Sequence, residues 1–479
     1  MGLLNTAVKG IAWSSLSTVI RSIVSLLQVS ILTRYLEKTD FGIVAIATLF
    51  IGFIQIFMDL GLSVGIIHKQ NISARQYSSL FWLNIFSGGF LTLLLLFLSP
   101  VVAEIYNEDS LTKILSLLSL NIFFSSLGSQ HRTVQQKMLR FKYIAIIEII
   151  TSILTLLIAV VLVENGYGIY SLVYSTMFNI LISNLLFLFI GLYKDRNISF
   201  HFNFSDTFPF LKIGFFSVGT QVLDYFSREI DIILISATLG KNVLGAYSLC
   251  KKLVMSVYSA INPIVAKVLA PLFALIQNDI SKIRKIYYDV IETVALVNFP
   301  IYFWIAIFSY SIIYYLYGEN YTDNAIVLSL LAVYYGYLST GSPVGSLQTA
   351  LGRTDSGFYW TIFRIVFCLI AIYIGSQFSV TGVVLSLIIM NFVAAPVAWY
   401  VNIRPLIAGR FIPYFFKAFR PFLITLAVSL PFAVLCHYWT SIWQILLLSI
   451  LFVSVYGVVT ISIMKHSYVV TYLRQLMNK

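Results

Sequence analysis

Charge is scarce in this chain. Only 10% of its 479 residues are Asp, Glu, Lys or Arg, against 59% hydrophobic. With a mean hydropathy of +0.90, that excludes a soluble globular protein, in which roughly a quarter of residues are charged. Cysteine is almost missing: Cys250, Cys368 and Cys436 all fall within apolar runs, which argues for packing residues and against a disulfide framework or metal ligands. The five histidines, His68, His131, His201, His437 and His466, are scattered at the edges of such runs. No phosphate-binding loop, nucleotide-binding glycine loop or metal-ligand cluster is spelled out, so ATP-driven transport by this chain alone, a metal, a cofactor and enzymatic chemistry are not expected. A cleavable leader is not expected either, because the first apolar run carries Arg21 near its middle and has no small-residue cleavage site.

What fills the chain is a series of apolar runs, each close to the ~20 residues a helix needs to cross a hydrocarbon core. About fourteen are expected, at 11–32, 41–63, 77–100, 111–129, 143–163, 168–193, 211–236, 244–266, 290–316, 325–347, 357–378, 382–403, 418–437 and 441–463. They read as helices, since a lipid-exposed backbone must satisfy its own hydrogen bonds and a barrel would show short alternating strands. The expected fold is an all-α polytopic membrane protein.

The net charge of +12 does not point to nucleic acid, because the basic residues collect in alternate loops. One side receives Lys9, Lys69, Arg75, Arg132, Lys137, Arg140, Lys142, Lys194, Arg196, Lys212, Lys267, Lys282, Arg284, Lys285, Arg353, Arg404, Arg410, Lys417, Arg420, Lys465, Arg474 and Lys479; the other only Arg34, Lys38, Lys113 and Lys241. The positive-inside rule then puts both termini in the cytoplasm of a multi-pass protein. No loop is long enough for a soluble domain. Within 267–289, Leu269, Leu272, Phe273, Ile276, Ile280, Ile283 and Tyr287 recur at helical spacing beside Lys282, Arg284 and Lys285, the pattern of an amphipathic helix on the membrane surface.

The chain also repeats itself. A shift of 203 residues lays "YLEKTDFGIVAIATLF" (35–50) over "TLGKNVLGAYSLCKKL" (238–253), aligning Leu36 with Leu239, Lys38 with Lys241 and Gly42 with Gly245. The same register aligns Lys9 with Lys212, Ser14 with Ser217, Val19 with Val222 and Asp59 with Asn262. Two parallel six-helix repeats, 1–193 and 194–403, follow, with a helix pair and tail over 404–479 appended; a substrate site is expected between the repeats near the midplane.

Charges inside the runs cost roughly 2.5 to 3.5 kcal/mol each and mark water-filled cavities or ion pairs. In "FSREIDIIL" (226–234), Arg228 lies four residues after Asp224 and three before Asp231, so these share a helix face from which Glu229 is rotated away. They form either a self-neutralising packing cluster or a cavity in which Arg228 meets an anion while the carboxylates exchange with it or bind a coupling cation. Arg21 aligns with Asp224, putting charge at the same depth in both halves. Arg364 lies mid-span and is expected in the cavity. Lys251 and Lys252 either snorkel or line it, and Glu148 and Glu292 are placed near cytoplasmic ends where they would reach water. Asp59, with Gly61 and Gly65 beyond it, is a helix-end contact or part of an outer gate. Tyr and Phe clusters such as "YSIIYYLYGENY" (310–321) suit an interfacial belt better than sugar stacking.

The stretches "RYLEKTDFGIVAIA" (34–47), "DLGLSVGIIHKQNISARQYSSLFWLNI" (59–85) and "DIILISATLGKNVLGAYSLCKKL" (231–253), with "LGR" at 351–353, resemble the bacterial polysaccharide transporter family, the Wzx-type flippases of the multidrug/oligosaccharidyl-lipid/polysaccharide exporter superfamily. Within it, the chain resembles the colanic and teichuronic acid exporters. The resemblance covers essentially the whole chain. It implies two six-helix lobes, alternating access and a polyprenyl-pyrophosphate-linked oligosaccharide as cargo, moved across the inner membrane for exopolysaccharide, O-antigen or capsule synthesis, with a coupling cation (H+ or Na+) and a polysaccharide polymerase as possible partners. Similarity to the lipid II flippase assigns the pyrophosphate to Arg21 and Arg228 and a lipid groove to the last two helices. A multidrug or cation-coupled antiporter would share the architecture but is expected to line its cavity with acids and aromatics. A membrane glycosyltransferase or polymerase would need a sizeable outside loop.

Overall fold

The structure is a computed structural model that describes residues 2–69, 71–194, 199–439 and 441–464. Arg196, Lys465, Arg474 and Lys479, expected on the cytoplasmic side, lie outside the described residues. Among those described there are helices and connecting turns but no strand.

Two compact units emerge, 1–248 and 249–479. In the first, α1 (Gly2–Leu32), α2 (Lys38–Met58), the short α3 (Leu62–His68), α4 (Ala74–Ile105), α5 (Ser110–Lys137), α6 (Phe141–Glu164) and α7 (Tyr170–Lys194) are joined by α8 (Phe204–Thr238) and the start of α9 (Gly240–Leu275). Here α4 runs against α5, α5 against α7 and α1 against α6, while α8 lies across α2, α3 and α4. The second unit continues α9 and adds α10 (Ile280–Ile307), α11 (Ser309–Tyr317), α12 (Ala325–Thr340), α13 (Pro343–Leu351), α14 (Thr354–Ser376), α15 (Val380–Ala398), α16 (Arg404–Ile407), α17 (Phe411–Tyr438) and α18 (Ile442–Ile463). In it α10 packs on α12 and α17, α14 on α15, and α17 on α18.

Helix starts follow from local chemistry. Ser73 and Gln76 form a capping box on α4, and Ser441 and Gln444 one on α18. Asp279 accepts from the Lys282 amide at 3.0 Å to open α10, and Ser379 from the Gly382 amide at 3.1 Å to open α15. Each cap satisfies an amide that the first turn leaves without an intrahelical acceptor.

Thirteen helices among the described residues are long and apolar enough to cross a membrane. They match every expected run except 211–236, which is α8. That helix has length to spare at 35 residues, but Asp224, Arg228, Glu229 and Asp231 dilute its apolar content. Burial is inverted relative to a water-soluble protein: Phe97, Phe189, Trp443 and Ile450 stand exposed, whereas Ser78, Ser79, Asn84, Ser126 and Thr151 are buried between helices. Small polar residues at helix contacts and apolar ones facing outward are what a lipid solvent selects.

Segment 267–289 is not a separate surface helix. It completes α9, turns at 276–279 and opens α10. Leu269, Phe273, Ile283 and Tyr287 are buried with Leu347, Trp399, Leu406 and Ile407, because an apolar stripe beside other helices of its own chain removes more surface from water there than at a lipid headgroup boundary.

Near the beginning of α2 and of α9, Gly42 sits against the Lys241 carbonyl and Gly245 against the Lys38 carbonyl. The 203-residue shift carries Gly42 onto Gly245 and Lys38 onto Lys241, so the two contacts are reciprocal between aligned positions. A Cβ at either glycine would overlap backbone. Nearby, Lys241 pairs with Glu108; that pair, and then the Ser110 hydroxyl, hold the Glu108 carboxyl below its ordinary value of 4.5.

Candidate substrate-binding site

Helix α8 is anchored by Tyr225, whose hydroxyl donates to the Leu49 carbonyl of α2 at 2.5 Å. That contact turns Asp224 and Arg228 outward, and both are exposed. The Arg228 Nε–H lies 3.3 Å from the Asp224 carbonyl oxygen. Asp231 differs from them in burial. It is only 7% exposed and accepts from the hydroxyl of the buried Tyr247 on α9, while Glu229 is half-buried. One helix thus offers an exposed arginine at membrane depth and a carboxylate locked into packing.

A second cluster joins three other helices of the same unit. Glu148 of α6 receives the Arg132 Nη2 at 2.7 Å and Nε at 3.3 Å on Oε1. On Oε2 it receives the Ser17 hydroxyl at 3.1 Å, with the Arg21 Nη1 at 3.5 Å. Glu148 therefore does not reach out to water but lies mostly covered between two arginines. The apolar run 111–129 leaves Arg132 as a loop charge, whereas α5 continues to Lys137. A helix-long run of Ser, Gln and His after the apolar stretch was the available signal.

Asp59 caps the turn into α3. Its carboxylate accepts from the Ser63 amide and hydroxyl, each at 3.0 Å, and Ser63 reaches the Thr133 hydroxyl at 2.8 Å. These bonds make Asp59 a helix-end contact, at the end of α2 that leads to Lys69 and Arg75.

The remaining candidates belong to the second unit. Lys251 is buried and Lys252 exposed on α9. Arg364 of α14 lines a cavity of about 330 Å³ with Trp360, Gln348 and Asn402. Phe411, Phe415, Phe419 and Phe422 of α17 form one wall, with stacked rings 4.9 Å apart for Phe415 and Phe419 and 5.7 Å for Phe419 and Phe422. Gln348 donates to Asn402 and to the Ser356 hydroxyl at the polar end. Glu292, expected to reach water, is instead buried and paired with Lys417 at 2.7 Å. Of the tyrosine-rich segment, Tyr317 and Tyr321 are core and Tyr310 and Tyr314 are exposed.

The helical, membrane-embedded architecture places the chain in a class: its fold is similar to that of the lipid II flippase MurJ in an inward closed conformation, with a TM-score of 0.72 at 17% identity, covering 93% of this chain and 97% of that one. The chain belongs to the polysaccharide biosynthesis protein family, whose sequence profile matches residues 31–326. It is 27% identical over 427 residues to the lipopolysaccharide biosynthesis protein WzxC of Escherichia coli K12, covering 89% of this chain and 87% of that protein. It is 29% identical over 429 residues to the teichuronic acid biosynthesis protein TuaB of Bacillus subtilis 168, covering 88% and 87%.

Proposed function

We propose that the chain is a flippase that moves a polyprenyl-pyrophosphate-linked oligosaccharide from the cytoplasmic to the outer leaflet of the bacterial inner membrane by alternating access, and that it is not an enzyme. The observation that carries this reading is Arg228, held exposed at membrane depth on α8, a long helix that its charges make less apolar than the other long helices among the described residues of this polysaccharide biosynthesis protein. A pyrophosphate cannot cross hydrocarbon without cationic partners, and an arginine offers it paired, charge-assisted hydrogen bonds. In this proposal Arg21 and Arg228 of the first unit and Arg364, Lys251 and Lys252 of the second bind substrate, while Asp224, Asp231, Glu229 and Asp59 act as counter-charges or in coupling to a cation. The ring ladder of α17 supports a lipid-contacting role for the last two long helices. The repeat boundary at 193/194, cytoplasmic termini and a polymerase partner belong to the same proposal.

The test is complementation of a deletion strain, followed by analysis of the lipid-linked oligosaccharide left on the inner leaflet. Loss of the gene should trap that intermediate. Arg228→Gln should abolish export while the protein still inserts, and Arg228→Lys should recover only part of it, since an ammonium lacks the planar donor fork. Neutralising Asp224, Arg228 and Asp231 together should leave an inserted protein that still does not export. Normal export from Arg228→Gln or from the triple variant would reduce the cluster to a packing device.

A further inference from the structure

We infer that Arg21, Arg132 and Glu148 form a preassembled diphosphate clamp in the first unit, with Glu148 as the positioning residue that makes two like-charged guanidinium groups converge. This rests on the proposal that the cargo carries a pyrophosphate and adds to it two residues read from sequence as a loop charge and a water-reaching acid.

Two arginines side by side repel. Here a single carboxylate holds both: Oε1 takes Nε and Nη2 of Arg132, at 3.3 and 2.7 Å, and Oε2 faces Nη1 of Arg21, at 3.5 Å. The buried Ser17 donates to the same Oε2 at 3.1 Å, so both carboxylate oxygens are occupied and the acid is fixed in place. The arginines are not consumed by it. Each guanidinium carries five N–H donors, and these contacts engage only a few of them. The cluster also keeps a net positive charge.

Exposure gives the direction. The Arg21 and Arg132 side chains are 43% and 46% exposed, against 13% for Glu148. The carboxylate is inside and the unused donors are outside. Guanidinium groups left open to lipid would each cost roughly 2.5 to 3.5 kcal/mol on insertion scales, which argues that they open onto water. The remaining need of such a pair is an anion with several acceptor oxygens spread over more than one centre. A diphosphate fits that need better than a single sulfate, because it can engage both forks at once. Glu148 lies two turns into α6 and Arg132 in the last turns of α5, near the ends that carry Lys137, Arg140 and Lys142. In the charge distribution those are cytoplasmic, which makes the clamp a loading site.

The experiment titrates purified full-length protein in lipid nanodiscs with inorganic pyrophosphate and, separately, with sulfate. Wild type should prefer pyrophosphate. Arg132→Gln should weaken pyrophosphate binding about tenfold, the loss of one strong charge-assisted contact, and Arg132→Lys by less. Glu148→Gln should lower the ratio of pyrophosphate to sulfate affinity, which a merely structural carboxylate would leave unchanged; an equal rise for both anions would make Glu148 a competitor and overturn its positioning role. Unchanged pyrophosphate affinity in Arg132→Gln would overturn the clamp. As a measurement that needs no variant, pyrophosphate should protect Arg21 and Arg132 of the wild type from phenylglyoxal, and failure to protect both refutes the clamp. The two proposals fail separately: complementation by a protein whose Arg132→Gln form binds pyrophosphate normally leaves the flippase standing without the clamp. A clamp that binds pyrophosphate in a protein whose deletion traps no lipid-linked oligosaccharide leaves the reverse.

Discussion

Lys417 shows what a single charge contributes. Its ammonium meets Glu292 at 2.7 Å and Asp289 at 3.3 Å, and the Glu292 side chain is only 6% exposed. Removing the cation strands a buried carboxylate, for which a loss of about 3 kcal/mol is the expected scale. Lys417→Met should therefore lower the thermal midpoint of the detergent-solubilised protein markedly, and Lys417→Met with Glu292→Gln should recover most of it. An additive double variant would mean that the pair is not coupled. The charge itself is legible in the sequence, but its partner is not: the apolar run 418–437 leaves Lys417 in a loop, whereas α17 begins at Phe411. Glu148 follows the same pattern. An acid two turns into an apolar run is visible in the sequence, but nothing local says that Arg21 and Arg132 close on it.

Between elements, the reciprocal glycine contact joins α2 to α9. Gly42→Ala and Gly245→Ala should each reduce yield and thermal stability by forcing two backbones apart, and together they should cost less than their sum, because both disturb one contact. Gly89→Ala is the control, since nothing lies within 4 Å of a Cβ there. Full stability in the glycine variants would show that the helices tolerate separation. The neighbouring Glu108–Lys241 pair should add to this contact above pH 4.5, the ordinary value of the carboxyl, and that contribution should fade as pH falls through its lowered folded-state value. The shared register of the two glycines was readable in advance, at a shift of 203 residues. The fate of 267–289 was not, because amphipathic periodicity says that a face is to be covered and not by what.

For the molecule as a whole, the basic residues make a prediction about orientation. Reporter fusions after Arg140 should report cytoplasm and a fusion after Asp109 the outside, since Lys137, Arg140 and Lys142 flank one turn while the other holds Glu104, Glu108 and Asp109. Opposite signals would reverse the topology and move the Arg21–Arg132 cluster to the outer side. The thirteen apolar helices and α8 would stay as they are, because helix formation in lipid does not depend on which end faces the cytoplasm.

By itself the sequence determined the class of solvent and where the apolar runs long enough to cross it lie. These properties are sums over neighbouring residues and need no knowledge of what lies across the bundle. Only the tertiary structure decided which charges meet. Ser17 and Glu148 are separated by 131 residues in the chain, yet they share a hydrogen bond because α1 packs along α6. Asp231 is buried and accepts from Tyr247 of α9, 16 residues further along the chain. A buried carboxylate takes the nearest good donor, and proximity across a bundle is set by helix packing, which no local pattern records.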